Sequence, residues 1–177
     1  MDSDQELIEL VNQGDPDAFE ALYRRYRDWV YRLAWRFTGN RQDALDVLQE
    51  TFTYLLGKFP GFSLTASMTT FLYPVVKHLS IAVRSKSRRF TSDEEILSEI
   101  AAPALKDTQS SRSELAAVLT VLPDEQREVL LMRFVDDMTL QEIATALNIP
   151  LGTVKSRLHH ALQRLRQDRR TQDYFLE

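Results

Sequence analysis

LPDEQREVLLMRFVDDMTLQEIATALNIPLGTVKSRLHHALQRLR, residues 122–166, reads as three helices separated by two short breaks, the last two forming a helix-turn-helix. Pro123 suits a first helical position because its missing N–H has no partner there, and Asp124 and Glu125 follow where the helix dipole favours negative charge. The spacing predicts a helix from about Pro123 to Phe134. Asp136 and Asp137 break the apolar pattern, and Thr139 then opens T-L-Q-E, a capping box in which Thr139 bonds the N–H of residue 142 and Glu142 reaches back. A short helix should end near Asn148, with Ile143, Ala144 and Leu147 inward and with Pro150 and Gly152 supplying the turn.

The third helix carries Val154, Leu158, Ala161, Leu162 and Leu165 on one stripe. Its outward positions are Thr153, Lys155, Ser156, Arg157, His159, His160, Arg164 and Arg166, donors suited to phosphates and base edges. A basic helix held across a tight turn by a shorter one is the geometry that enters a DNA major groove. Basic runs are ordinarily just solvated surface. Here the asymmetry argues for more: residues 150–170 hold six Lys or Arg against one Asp, in a chain of net charge −4.

The 177 residues allow one ordinary domain or two small ones, and 44% hydrophobic content supports packed cores. The absence of cysteine excludes a disulfide framework, a thiolate zinc site and a redox nucleophile, and is compatible with a reducing cytoplasm. No apolar run approaches the roughly 18 residues of a membrane span. The N-terminal MDSDQELIEL is acidic, unlike a signal region, and no further domain is expected after Glu177. These features predict a cytoplasmic protein without membrane insertion.

Earlier in the chain, residues 4–12 suggest a short helix ending at Gly14, and Asp15 and Pro16 start a much longer one. Its inner face is Phe19, Leu22, Tyr23, Tyr26, Val30, Leu33, Ala34 and Phe37, ended by Gly39 and Asn40. The next helix, about Arg41 to Lys58, should bury Ala44, Leu48, Phe52, Leu55, Leu56 and Phe59. Its other face collects Asp46, Gln49, Glu50 and Thr53. With no His or Cys beside these acids, a partner-binding or solvated face fits better than acid–base or metal chemistry.

FPGFSLTA, residues 59–66, reads as a loop, and Ser67 caps a helix from about Met68 to Arg89 with an apolar stripe of Phe71, Leu72, Val75, Val76, Leu79 and Val83. Pro74 should kink that helix unless it begins near there. Its far end, Lys77, Arg84, Lys86, Arg88 and Arg89, carries no intervening acid and suits a polyanion, while nearby aromatic rings suit unpaired bases. Residues 91–112 carry a surplus of three acids, lose periodicity and read as a linker with a helical turn at Glu94 to Ile100. The fold expected is all-α, two small helical domains over residues 1–90 and 113–177 joined by a flexible acidic linker over 91–112.

The order D-A-F-E-A-L-Y (17–23), T-G-N (38–40), D-A-L-D-V-L-Q-E-T-F (43–52), T-F-L-Y (70–73), an acidic linker, then L-P-D-E-Q-R-E-V (122–129) and G-T-V-K-S-R (152–157) resembles the sigma-70 family. It looks most like the extracytoplasmic-function (ECF) subfamily, which consists of sigma regions two and four alone. The resemblance implies a non-catalytic subunit that binds core RNA polymerase and directs it to promoter DNA. It implies that Asp46, Gln49, Glu50 and Thr53 dock on the clamp helices of the largest polymerase subunit. Phe62, Ser63, Phe71, Lys77, His78, Arg84, Lys86, Arg88 and Arg89 would read and open the minus-10 element. Thr153, Lys155, Ser156, Arg157, His159, His160 and Arg164 would read the minus-35 element. An anti-sigma factor is a further partner the resemblance allows.

Some positions depart from the family pattern. Leu45 replaces a usual Glu and either moves one contact or enlarges the core; Phe71 and Pro74 alter the W-L-Y segment; His78 stands for Asn; and Pro150 replaces a capping Ser. His159 and His160, about 100° apart on a helix, are expected to face solvent or DNA and not a metal. Neither a cofactor nor a metal site is expected. Two rival readings share parts of the pattern: a stand-alone helix-turn-helix regulator, against which Asp46 and Gln49 argue, and a sigma-like decoy for an anti-sigma factor, against which both basic surfaces argue.

Overall fold

A computed structural model describes residues 3–90 and 119–168, the last four residues of the first stretch, 87–90, by backbone alone. The chain divides into two compact units at Pro103/Ala104, and the described residues are helical without strands. The linker over 91–112, the turn at Glu94 to Ile100 and the domain limits placed there lie outside the described residues.

In the first unit α1 (Asp4–Asn12) starts at a Ser3–Glu6 capping box, and α2 (Pro16–Thr38) starts at Asp15, whose carboxylate accepts from Asp17 and Ala18 N–H. Gly39 closes α2 at φ 78, a left-handed conformation that glycine adopts without a Cβ penalty. Asn40 belongs to the next element, capping α3 (Arg41–Leu56) by accepting from Asp43 N–H. The fourth helix, α4, is Met68–Phe90. Helices α2, α3 and α4 pack on one another and α1 packs on α2. Leu22, Val30, Ala34, Ala44, Val47, Leu72 and Val76 are excluded from solvent at their centre.

The packing departs from the expected stripes on α3 and α4. Leu56 is 51% exposed: it lies one residue, about 100° of rotation, past the buried Leu55, and the inner line runs through Ala44, Val47, Thr51 and Leu55. Thr51 is tolerated there because its hydroxyl donates to the Val47 carbonyl at 2.7 Å. Leu45 is 39% exposed and so does not enlarge the core. On α4 the buried line is Met68, Leu72, Tyr73, Val76 and Ser80, while Phe71, Val75, Leu79 and Val83 flank it half-buried. The helix does not begin at Pro74. It is already helical from Met68, where Phe71 N–H donates to the Ser67 carbonyl, and it continues beyond Pro74.

In the second unit α5 is Asp124–Phe134, α6 Leu140–Leu147 and α7 Leu151–Gln167. Pro123 is the N-cap and not the first helical residue; its carbonyl accepts from Gln126 and Arg127 N–H. Arg127 secures the approach to α5, its guanidinium donating to the carbonyls of Leu119 and Leu122 at 2.7 Å each. The break after α5 contains Asp137 at φ 55, and the predicted Thr139–Glu142 capping box starts α6. Asn148, at φ 52, ends α6, so the turn is made by Asn148, Ile149 and Pro150. Gly152 lies inside α7, contrary to its expected place in the turn. Leu122, Leu130, Ala161 and Leu165 form a buried cluster between α5 and α7, with Leu119, Leu158 and Leu162 against it.

Candidate polymerase and nucleic-acid interfaces

On α3 the residues turned away from the core are Asp46, Gln49, Glu50 and Thr53, all exposed. Asp43 is occupied in the helix cap, its carboxylate accepting from Asn40 Nδ2 at 2.7 Å, whereas Asp46 accepts from Gln42 Nε2 at 3.1 Å on the open surface. Thr53 spends its hydroxyl on the Gln49 carbonyl. Leu45, four residues before Gln49, and Leu56, three after Thr53, are exposed and extend the same face. This face therefore offers a polar, acidic middle between two apolar side chains. The Leu56 end was not expected on this face because the apolar spacing placed Leu56 in the core.

The loop after α3 is enclosed by rings. Phe59 meets Phe19 at 6.3 Å and Phe62 at 5.4 Å, Phe62 meets Phe71 at 4.9 Å, and Phe71 stacks with Tyr54 at 6.4 Å. Lys58 Nζ lies 4.4 Å from the Tyr54 ring centroid, a cation–π contact. Phe62 and Phe71 are half-buried, and Ser63 is exposed. Asn12, which sequence reading passed over, bonds the loop backbone at Gly61 and Phe62. On α4, His78, Arg84 and Lys86 are exposed and Lys77 is half-buried. Arg84 also donates to the Phe37 carbonyl at 3.1 Å, across to the end of α2. The side chains of Arg88 and Arg89 lie outside the described residues.

In the second unit, Lys155, Ser156, His159, His160 and Arg164 share the exposed side of α7, and Thr153 is half-buried at its start. Pro150 caps this helix with backbone alone, its carbonyl accepting from Thr153 and Val154 N–H. Arg157 departs from the outward placement read from the sequence. It sits three and four residues from buried Val154 and Ala161, is half-buried, and its Nη2 donates to Glu125 Oε2 at 2.6 Å. His159 and His160 are edge-to-face at 5.7 Å. A polar recess beside them is lined by Gln126, His160, Gln163, Arg164 and Gln167, three amides that carried no charge signal in the sequence. Among the described residues no cluster of three His, Cys, Asp or Glu is disposed to hold a metal, and no helix is long and apolar enough to cross a membrane.

The two units coincide with two known modules. Residues 22–90 match the model of sigma-70 region 2, and residues 118–167 match that of sigma-70 region 4. ECF RNA polymerase sigma factor SigW of Bacillus subtilis is 32% identical, over 92% of this chain and 95% of that protein. The chain belongs to the ECF sigma factors of the sigma-70 family.

As an ECF sigma factor it is a transcription initiation factor that works with RNA polymerase. The RNA polymerase sigma-H factor of Pseudomonas aeruginosa is 30% identical over 90% of each chain. Among solved structures, CnrH in complex with the cytosolic domain of CnrY superposes with a TM-score of 0.67 at 19% identity, covering 92% of this chain and 94% of that one. The sigma factor RpoE in complex with the anti-sigma factor NepR from Bartonella quintana gives 0.65 at 19%, covering 84% and 94%. The region 2 match begins within α2, so α1 precedes it in this sigma factor.

Proposed function

We propose that this sigma factor docks on the clamp helices of the largest subunit of core RNA polymerase through the α3 face, with Asp46, Gln49, Glu50 and Thr53 as polar contacts and Leu45 and Leu56 beside them. The observation that carries this reading is that these residues are exposed together on one side of a helix whose opposite side is core. Polar side chains exposed together on a helix backed by core are what a partner surface needs.

Promoter reading divides between the units. Phe62 and Ser63 of the loop, with Phe71, Lys77, His78, Arg84, Lys86, Arg88 and Arg89 of α4, engage the minus-10 element: rings stack on unpaired bases and cations draw the backbone. Thr153, Lys155, Ser156, His159, His160 and Arg164 engage the minus-35 element from α7. Arg157 serves this surface from its flank, holding α7 against α5 through Glu125. Each base-edge contact contributes about 1–3 kcal/mol of discrimination, whereas each phosphate contact contributes salt-dependent affinity without sequence preference. Two modest modules in one chain reach useful affinity through effective concentration. The protein performs no catalysis of its own, works in the cytoplasm at the nucleoid, and has an anti-sigma factor as a further partner.

Run-off transcription by core polymerase on pooled genomic fragments tests this, with the chain and an Asp46→Ala, Gln49→Ala version side by side. Defined transcripts that depend on the chain and fade with the double change are expected. Binding to polymerase without any transcript would instead favour a decoy, and failure to bind polymerase would favour a stand-alone DNA regulator.

A further inference from the structure

α1 is a strut with both ends tied. At its start, Asp4 accepts from the Tyr26 hydroxyl and the Arg25 guanidinium of α2, and Leu7, Ile8 and Val11 bury its inner side. At its end stands Asn12, whose side chain reaches fifty residues along the sequence to the loop after α3. Asn12 Oδ1 accepts from Gly61 N–H at 2.6 Å and from Phe62 N–H at 3.1 Å, and Nδ2 donates to the Phe62 carbonyl at 2.8 Å. One amide side chain thus pairs with both backbone groups of Phe62, as a neighbouring strand would. Only an amide presents an acceptor and a donor side by side at this reach: Ala offers neither, and ionised Asp would set an oxygen against the Phe62 carbonyl. Gly61, at φ 97, supplies the left-handed residue that lets the loop present successive N–H groups to one oxygen. With its backbone held on both sides, Phe62 keeps its ring on Phe71 at 4.9 Å and on Phe59 at 5.4 Å, while Ser63 next to it stays exposed.

From this geometry we propose that Asn12 is a positioning residue for promoter recognition: it sets the conformation of the loop over 59–66 and thereby the discrimination among minus-10 sequences. The inference rests on the reading that this loop faces the minus-10 element. It assigns a recognition role to α1, which lies ahead of the matched region 2 segment.

The test uses the full chain with core polymerase and compares Asn12→Ala and Asn12→Asp with the parent. Three quantities are read: run-off from the parent's promoter against versions with each minus-10 base replaced, affinity for core polymerase, and amide hydrogen exchange at Gly61 and Phe62. Asn12→Ala should lower the ratio of cognate to substituted promoter activity about tenfold, the scale of losing a few hydrogen bonds. It should also speed exchange at Gly61 and Phe62 while leaving polymerase affinity unchanged. Asn12→Asp, which keeps the acceptor and loses the donor, should fall between. If Asn12→Ala is too unstable to assay, Asn12→Asp carries the same comparison. Unchanged exchange at both amides, or a uniform fall across all promoters, overturns the positioning role. Phe62→Ala and Ser63→Ala are run in parallel. If these leave the ratio unchanged while Asn12→Ala speeds exchange, the loop is held as described but does not read the minus-10 element, which overturns the recognition role through the loop reading itself.

Discussion

Arg157 of α7 donates to Glu125 in the first turn of α5 at 2.6 Å, so the arginine that closes the G-T-V-K-S-R motif is engaged within the protein. Its side chain is 23% exposed and that of Glu125 is 70%, which leaves the pair open to screening by salt. Glu125→Gln and Arg157→Gln should therefore couple by about 0.5–1 kcal/mol in a double-mutant cycle of unfolding, with the coupling shrinking as salt rises. Strictly additive effects would show that the pair contributes no net stability.

Lys155 and Arg164 are exposed on the same side of α7 and differ from Arg157 in that respect. If each neutralises one phosphate, replacing either by Ala should reduce the slope of log affinity against log salt by about 0.9 for a minus-35 duplex. Arg157→Gln should change that slope less. Fluorescence anisotropy across a salt series distinguishes the exposed cations from the paired Arg157.

The hydroxyl of Tyr26 is pushed above the ordinary tyrosine range, first by burial and then by its hydrogen bond to Asp4 and the charge of that carboxylate. A group whose proton is held more tightly when folded stabilises fully below its unfolded pKa, about 10 for tyrosine, and loses that contribution as pH rises toward the folded value. Stability should consequently fall on the alkaline side more steeply in the parent than in Tyr26→Phe. Tyr26→Phe itself should cost about 1 kcal/mol at neutral pH, the net value of one hydrogen bond. Denaturant unfolding at neutral and alkaline pH measures both.

Leu55 and Leu56 are neighbours with opposite fates, 1% and 51% exposed. Leu55→Ala should destabilise the first unit by about 2–5 kcal/mol through the cavity it leaves. Leu56→Ala should stay within about 0.5 kcal/mol. The reverse ranking is expected for polymerase affinity, because Leu56 borders the proposed docking face. Competition for core polymerase against the parent chain reads this without reference to any promoter.

Much of this protein was written in local pattern. Helix starts at Asp15 and Thr139, the stop at Gly39, the inner face of α2 and the stripe of α7 were legible because each depends on residues within about one turn. The motifs that resemble sigma regions two and four were legible too, since spacing along a helix carries them. Tertiary structure alone decided where each stripe is centred and which polar side chain is free. Leu56 fell outside the core because one residue of rotation separates it from Leu55. Arg157 faces Glu125 because α7 lies against α5, and Asn12 holds Phe62 because the fold returns the chain to it fifty residues later. The physical reason is one of range: caps and periodicity act over a few residues, whereas the partner of a charged or amide side chain is chosen by whatever the packing of the core brings within hydrogen-bond distance.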